Sequence, residues 1–260
     1  MLREGFYFLY KLAQSSVFGG FILCLLLAFW LLGIQSGLRA DLLFGCVLVV
    51  QILLVVFQFE SKKEAKVIGL FHLVGTAMEV FKTSAAIGSW SYAHIGFFAI
   101  GNVPLFTGFM YASVGSFIAR CWRILQFKFE NYPPFWQTVV LSVLIYANFF
   151  THHYLPDIRS VLFLLAGVVY GRTFIHFKVY QKQWRIPLLL ACGLAAAVIF
   201  FAENVGTFSR YWVYPNQVDG WHMVPLGKFG SWFLLLILSF VLVTLVHRDK
   251  LYLRTDCEKS

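Results

Sequence analysis

Two acidic residues, Glu79 and Glu203, stand at the ends of long apolar runs. A carboxylate in such a setting is costly and calls for a partner or a role. Each is followed by the same pattern. After Glu79 come Trp90-Ser91-Tyr92 and Val103-Pro104-Leu105; after Glu203 come Trp212-Val213-Tyr214 and Val224-Pro225-Leu226. Matching residues lie 124 apart for the Glu, 122 for the Trp and 121 for the Pro. An offset held this constant marks an internal duplication. A carboxyl group sheltered from water is suited to general acid or base work, so Glu79 and Glu203 are candidate catalytic residues.

Lys82 lies one turn beyond Glu79, where an i, i+3 pair can neutralise both charges, and His72 lies two turns before it on the same face. This set is either a structural ion pair with a satisfied histidine or an acid/base and substrate-binding face lining a cavity. Glu203 has Gly206 at the position matching Lys82, and Asn204 beside it. Its alternatives are a proton donor, a group reaching the lipid headgroups, or a partner of Arg210. Further on stand His152, His153 and Asp157, the last expected in the first turn of a helix opened by Pro156. With His94 and His222 they are compatible with a His and carboxylate metal site, but no HExxH spacing is present, so no metal is assigned and no cofactor is identified. Trp90, Tyr92, Trp212 and Tyr214, with Trp221, form either an interfacial aromatic belt or a defined loop capping the bundle. His152, His153, Asp157, Asn204 and the two Trp-x-Tyr pairs are the candidate binding residues.

The elements that must position these groups follow from composition. Of 260 residues, 60% are hydrophobic and 13% charged, with 29 Phe and a mean hydropathy of +0.74. That is too little charge for a soluble surface. The net charge of +9 comes without a basic stripe or nucleic-acid motif, and a multi-pass membrane protein with basic cytoplasmic loops accounts for it. The five cysteines form no CxxC or metal spacing and suit core positions. The run 17–33 is long enough to span, and no small-x-small cleavage site follows it, so it is a first span rather than a signal peptide.

A ruler of roughly 20 residues per bilayer crossing gives eight spans, near 17–35, 41–59, 65–88, 95–120, 135–154, 157–177, 185–205 and 227–247. The fourth is expected to kink at Asn102 and Pro104. With the N-terminus inside, sixteen Lys and Arg fall on the inner side, including Arg248, Lys250, Arg254 and Lys259. Only Arg39, Arg159, Arg210 and Lys228 fall outside. Both termini are therefore expected in the cytoplasm. The fold class expected is all-α: a polytopic membrane bundle of about eight transmembrane helices in two parallel four-helix repeats, 1–128 and 129–260, related by a pseudo-twofold along the membrane normal. The small-residue pairs Gly167/Gly171 and Gly108/Ala112/Ser116 are expected to let helices pack closely.

On Phe81-Lys82-Thr83-Ser84 and the runs 101–108, 148–154 and 203–217, the chain resembles the YoaT-like family of bacterial multi-pass membrane proteins of unknown function. The resemblance covers nearly the whole chain and brings no activity with it. A more distant similarity is to the repeated signature of membrane lycopene cyclases and carotenoid-synthesis proteins, carried by Glu79, Gly88, Trp90, Tyr92 and Pro104 and echoed by Glu203, Trp212, Tyr214 and Pro225. Those cyclases carry two glutamates directly after the proline, where this chain has Leu105-Phe106 and Leu226-Gly227. That resemblance implies an apolar substrate between two halves rather than cyclisation itself. Three functions stay open at this point: a cell-membrane enzyme acting on an apolar or isoprenoid-like lipid near the outer leaflet of a bacterial inner membrane, a small-molecule transporter, and a membrane scaffold without catalysis. The expected partners are the bilayer and an apolar lipid ligand, with no nucleic acid.

Overall fold

The computed structural model of the chain describes residues 2–34 and 36–247. Arg248, Lys250, Arg254, Lys259 and Cys257, which entered the charge and cysteine counts, lie outside the described residues. The described residues form the helices α1 (Leu2–Ser15), α2 (Val17–Leu31), α3 (Gly37–Val56), α4 (Lys62–Lys82), α5 (Phe106–Ile124), α6 (Phe135–Thr151), α7 (Arg159–Tyr170), α8 (Leu188–Phe208) and α9 (Gly227–Val246). The last eight overlap the eight apolar segments expected from the sequence; α1 precedes them and was not expected. By length and composition α3, α8 and α9 can each cross a membrane, and α1 with α2 would make a fourth crossing bent by 71°. The others fall short for visible reasons. Helices α6 and α7 are apolar but have 17 and 12 residues. Helix α4 carries Lys62, Lys63, Glu64, Lys66, Glu79 and Lys82.

The expectation of helices alone needs correcting, because short strands join them. They are β1 (Ser91–Tyr92), β2 (Ala99–Ile100), β3 (Val103–Pro104), β4 (Lys128–Glu130), β5 (Phe174–Lys178), β6 (Gln183–Pro187) and β7 (Trp212–Val213). The expected fourth span does not merely kink. Residues 99–104 form the β2–β3 hairpin, in which Gly101 takes a left-handed φ of 58°, and α5 begins only after Pro104. The sixth segment likewise stops as helix at Tyr170. Beyond it, residues 172–187 combine Arg172, Lys178, Lys182 and Arg185 with β-branched and aromatic residues, a composition better suited to strands at an interface than to a buried helix. They pair as the antiparallel sheet β4-β5-β6. The turn of β5–β6 is tied to α1 by Glu4, whose carboxylate accepts backbone N–H groups of Gln181 and Lys182 at 3.1 and 3.2 Å.

Helix α5 is central, packing on α1, α2, α3, α4 and α9, and its closest partner is α4. Small residues permit this contact. At Gly75 of α4 an added Cβ would lie 2.6 Å from the Tyr111 ring, so only glycine lets Tyr111 cross the α4 surface. The Gly108/Ala112/Ser116 stripe serves as expected, with Gly108 against His72 and Thr76. Gly167 does not: a Cβ there would meet open space. Helix α4 starts in a capping box, Ser61 Oγ accepting the Glu64 N–H at 3.2 Å while Glu64 Oε2 accepts the Ser61 N–H at 2.7 Å. The two Trp-x-Tyr motifs meet as strands, with β1 antiparallel to β7, Ser91 opposite Val213 and Tyr92 opposite Trp212.

Candidate functional site

The ends of α4, α6 and α8 and the starts of α5, α7 and α9, with Tyr92 and Trp212 of the β1–β7 ribbon, line a chamber of about 270 Å³. Both glutamates line it. Glu79 is 2% exposed and carries three hydrogen-bond donors: Trp90 Nε1 at 2.9 Å and Tyr92 Oη at 2.6 Å reach Oε2, and Tyr111 Oη at 2.7 Å reaches Oε1. Glu203 is 4% exposed and accepts from Tyr214 Oη on one oxygen and Trp232 Nε1 on the other. An indole N–H can only donate, so Oε2 of each glutamate serves as an acceptor. Such pairing on both oxygens is what an acid in an apolar interior requires.

The two donor sets interlock. Trp90 packs edge-on against Tyr214 with ring centroids 6.1 Å apart, and Tyr111 lies 6.3 Å from Trp232. The carboxylates therefore share one site. The i, i+3 ion pair expected of Glu79 and Lys82 is absent, because Glu79 turns to the aromatic donors and Lys82 turns the other way. Lys82 Nζ lies 2.8 Å from His153 Nε2 and 3.3 Å from His152 Nε2. His152 Nδ1 sits 2.7 Å from the Asn148 carbonyl, which only accepts, so Nδ1 carries the proton and Nε2 offers a lone pair to Lys82.

Glu79, Lys82, Trp90, Tyr92, His152, Glu203, Trp212 and Tyr214 all face the chamber. Three other candidates stand behind it. His153 holds Lys82. Asp157 accepts from Asn148 Nδ2 at 3.1 Å and Arg159 Nε at 2.5 Å, and precedes α7 rather than lying in its first turn. Asn204 accepts the Val224 N–H at 2.9 Å and donates to the Phe200 carbonyl at 2.8 Å, anchoring the Val-Pro-Leu turn to α8. Trp212 matches Trp90 in sequence but not in bonding. It packs over Gly206, where a Cβ would lie 2.5 Å from its Cζ2, and Trp232 supplies the indole to Glu203 instead. Arg210 bonds the Gln217 carbonyl at 3.1 Å and not Glu203. His72 packs on the Phe109 ring, 4.6 Å between centroids, outside the chamber. Among the described residues no three of His, Cys, Asp and Glu converge as a metal-ligand group.

Sequence reasoning missed Tyr111, Trp232, Asn148, Arg159, Lys228 and Ser231. Tyr111 and Trp232 are 121 residues apart, so extending the repeat one turn into the next helix would have found them. Arg159 and Lys228 were absorbed into the count of outer-loop charges, yet both face the chamber. Arg39, from the same count, is buried, donating to the Ser209 carbonyl at 2.6 Å and stacking 3.5 Å over the Tyr211 ring.

These features define a mostly helical protein with three or four helices long and apolar enough to cross a membrane, and a chamber framed by a repeated Glu and Trp-x-Tyr device. The chain belongs to the family described as "Protein of unknown function (DUF817)", which matches residues 4–240. It is 44% identical over 209 residues to the uncharacterized protein YoaT of Bacillus subtilis (strain 168), covering 80% of this chain and 78% of that one. No solved structure matches.

Proposed function

We propose that the chain is a bacterial cell-membrane enzyme that performs acid/base chemistry on an apolar, isoprenoid-like lipid admitted to the chamber near the outer leaflet. The observation that carries this is the pair of glutamates, each bonded to a tyrosine hydroxyl that also faces the chamber. In this reading Tyr111 and Tyr214 relay protons between the substrate and the glutamates, Glu79 and Glu203 each taking up the proton that its phenol gives away or returning it. Lys82, held by two histidines, is a second proton store at the same wall. A groove of about 110 Å³ between α2, α5 and α8 shares Met110, Tyr111, Glu203, Trp212 and Trp232 with the chamber and offers an apolar chain a place beside it.

The proposal includes eight crossings in two parallel repeats, with both termini cytoplasmic. The ribbon register supports the repeat. Ser91 opposes Val213, its own counterpart 122 residues on, and Tyr92 opposes Trp212, the counterpart of Trp90. An element facing its own equivalent in antiparallel is the pairing that a twofold axis generates. The lycopene cyclase resemblance enters only as an analogy of an acid beside a Trp-x-Tyr loop.

The test is lipid mass spectrometry of bacteria expressing the wild-type chain, Glu79→Gln or Glu203→Gln at equal levels of folded protein. A lipid species that changes with the wild type and not with either variant is the expected result. Identical lipid profiles for all three would sink the enzyme reading, and movement of an unaltered lipid between leaflets would replace it with transport.

A further inference from the structure

Two of the three cations at the chamber have no acid in contact. Lys82 Nζ meets two histidines and no carboxylate. Lys228 Nζ sits over the Tyr214 ring at 4.2 Å and 5.3 Å from the Trp90 ring centre. Among the described residues neither ammonium has a carboxylate within 4.0 Å. Arg159 gives Nε to Asp157 and Nη1 to Ser231 Oγ at 3.1 Å, and itself lines the chamber. The two chamber carboxylates have their oxygens occupied by phenol and indole donors. These bonds tie both carboxyl groups to donors of the wall, while Lys82, Arg159 and Lys228 bring N–H groups to the same lumen.

Placement sharpens the point. Arg159 is the first residue of α7 and Lys228 the second of α9. A cation in the first turn stands at the positive end of the helix dipole, where an anion is the favoured occupant. At α7 that anion is Asp157, which accepts both the Arg159 backbone N–H at 3.0 Å and its Nε, whereas at α9 Lys228 stands against the dipole with no bonded acid and is stabilised when an anion sits beside it. The groove between α2, α5 and α8 shares Tyr111, Glu203 and Trp232 with the chamber and is walled by Ile22, Leu23, Leu26, Val114 and Ile199.

We propose that the chamber recognises a phosphate or diphosphate head through Lys82, Arg159 and Lys228, with the apolar chain of the same molecule lying in the α2/α5/α8 groove. The substrate class is thus an amphipathic lipid phosphate. This rests on the lipid reading above and adds the charge of the head group to it. Lys228 and Arg159 meet the phosphoryl oxygens, and Lys82, backed by His152 and His153, closes the third side.

The experiment uses the full chain in neutral detergent and follows quenching of tryptophan fluorescence, since Trp90, Trp212 and Trp232 line the chamber. The probes are dodecyl phosphate, dodecanol and inorganic phosphate. Dodecyl phosphate is expected to saturate and to bind at least about tenfold more tightly than dodecanol, the scale of one charge-assisted contact. Lys228→Gln and Arg159→Gln should each weaken dodecyl phosphate about tenfold and leave dodecanol unchanged. Lys228→Arg should keep the affinity, which separates loss of charge from misfolding. Equal binding of dodecanol and dodecyl phosphate overturns the head-group assignment while the lipid reading stands. Inorganic phosphate binding as tightly as dodecyl phosphate keeps the anion site but overturns the lipid as its source. Failure of both dodecyl probes overturns the two readings together.

Discussion

Replacing Glu79 discriminates between its role as an acceptor and its role as a charge. In Glu79→Leu the volume is nearly kept, but Trp90, Tyr92 and Tyr111 lose their shared acceptor in a site that is 2% exposed at position 79. Polar contacts between membrane helices average about 0.6 kcal/mol each and reach about 1.7, so three of them come to about 2–5 kcal/mol. The indole of Trp90 has no second function with which to recover the loss. In Glu79→Gln the amide oxygen can take the place of Oε2 and satisfy Trp90 and Tyr92 together. The amide nitrogen then faces the Tyr111 hydroxyl, which turns to accept, and the loss falls to about 1 kcal/mol or less. The measurement is reversible unfolding in mixed micelles of increasing SDS content, followed by tryptophan fluorescence. The Leu variant should unfold well before wild type and the Gln variant close to it. A Leu variant as stable as wild type, or a Gln variant as damaged as the Leu variant, would refute the acceptor account of this residue.

Gly206→Ala drives a methyl group into the Trp212 ring, an overpacking worth about 1–3 kcal/mol, and should displace Trp212 from the chamber wall with a shift in tryptophan emission; unchanged stability and emission would show that the ring is not seated on this glycine. Asn204→Ala removes the anchor of the Val224-Pro225-Leu226 turn and should lower stability by about 1–2 kcal/mol, with faster amide exchange at Val224.

Much of the architecture was legible because apolar runs and caps are local signals. Eight of the nine described helices overlap the expected segments, and the duplication could be seen in the spacing of Glu, Trp-x-Tyr and Val-Pro-Leu. Helix α1 was missed because its apolar residues are interleaved with Arg3, Glu4 and Lys11, so it carries no continuous run. The strands at 174–187 were missed because a length ruler assigns any apolar stretch to a span. Only where the chain turned at Tyr170 could their pairing with β4 be known.

Sequence by itself determined that this is an apolar, helical chain in the DUF817 family and that two acids stand before two copies of one aromatic motif. It also supplied the right neighbourhood, since eight of the candidate residues line one chamber. The tertiary structure decided the partners. Sequence neighbours suggested Glu79 with Lys82 and Glu203 with Arg210, because charge opposite charge is the only pairing that local spacing reveals. The fold instead gives each acid to phenols and indoles from the loop and the helix that follow it, and gives Lys82 to two histidines about seventy residues away. A buried carboxylate takes whatever donors reach it without water, and which donors reach it is set by helix packing, by Gly75 and Gly206 making room, and by the β1–β7 ribbon holding the two motifs together.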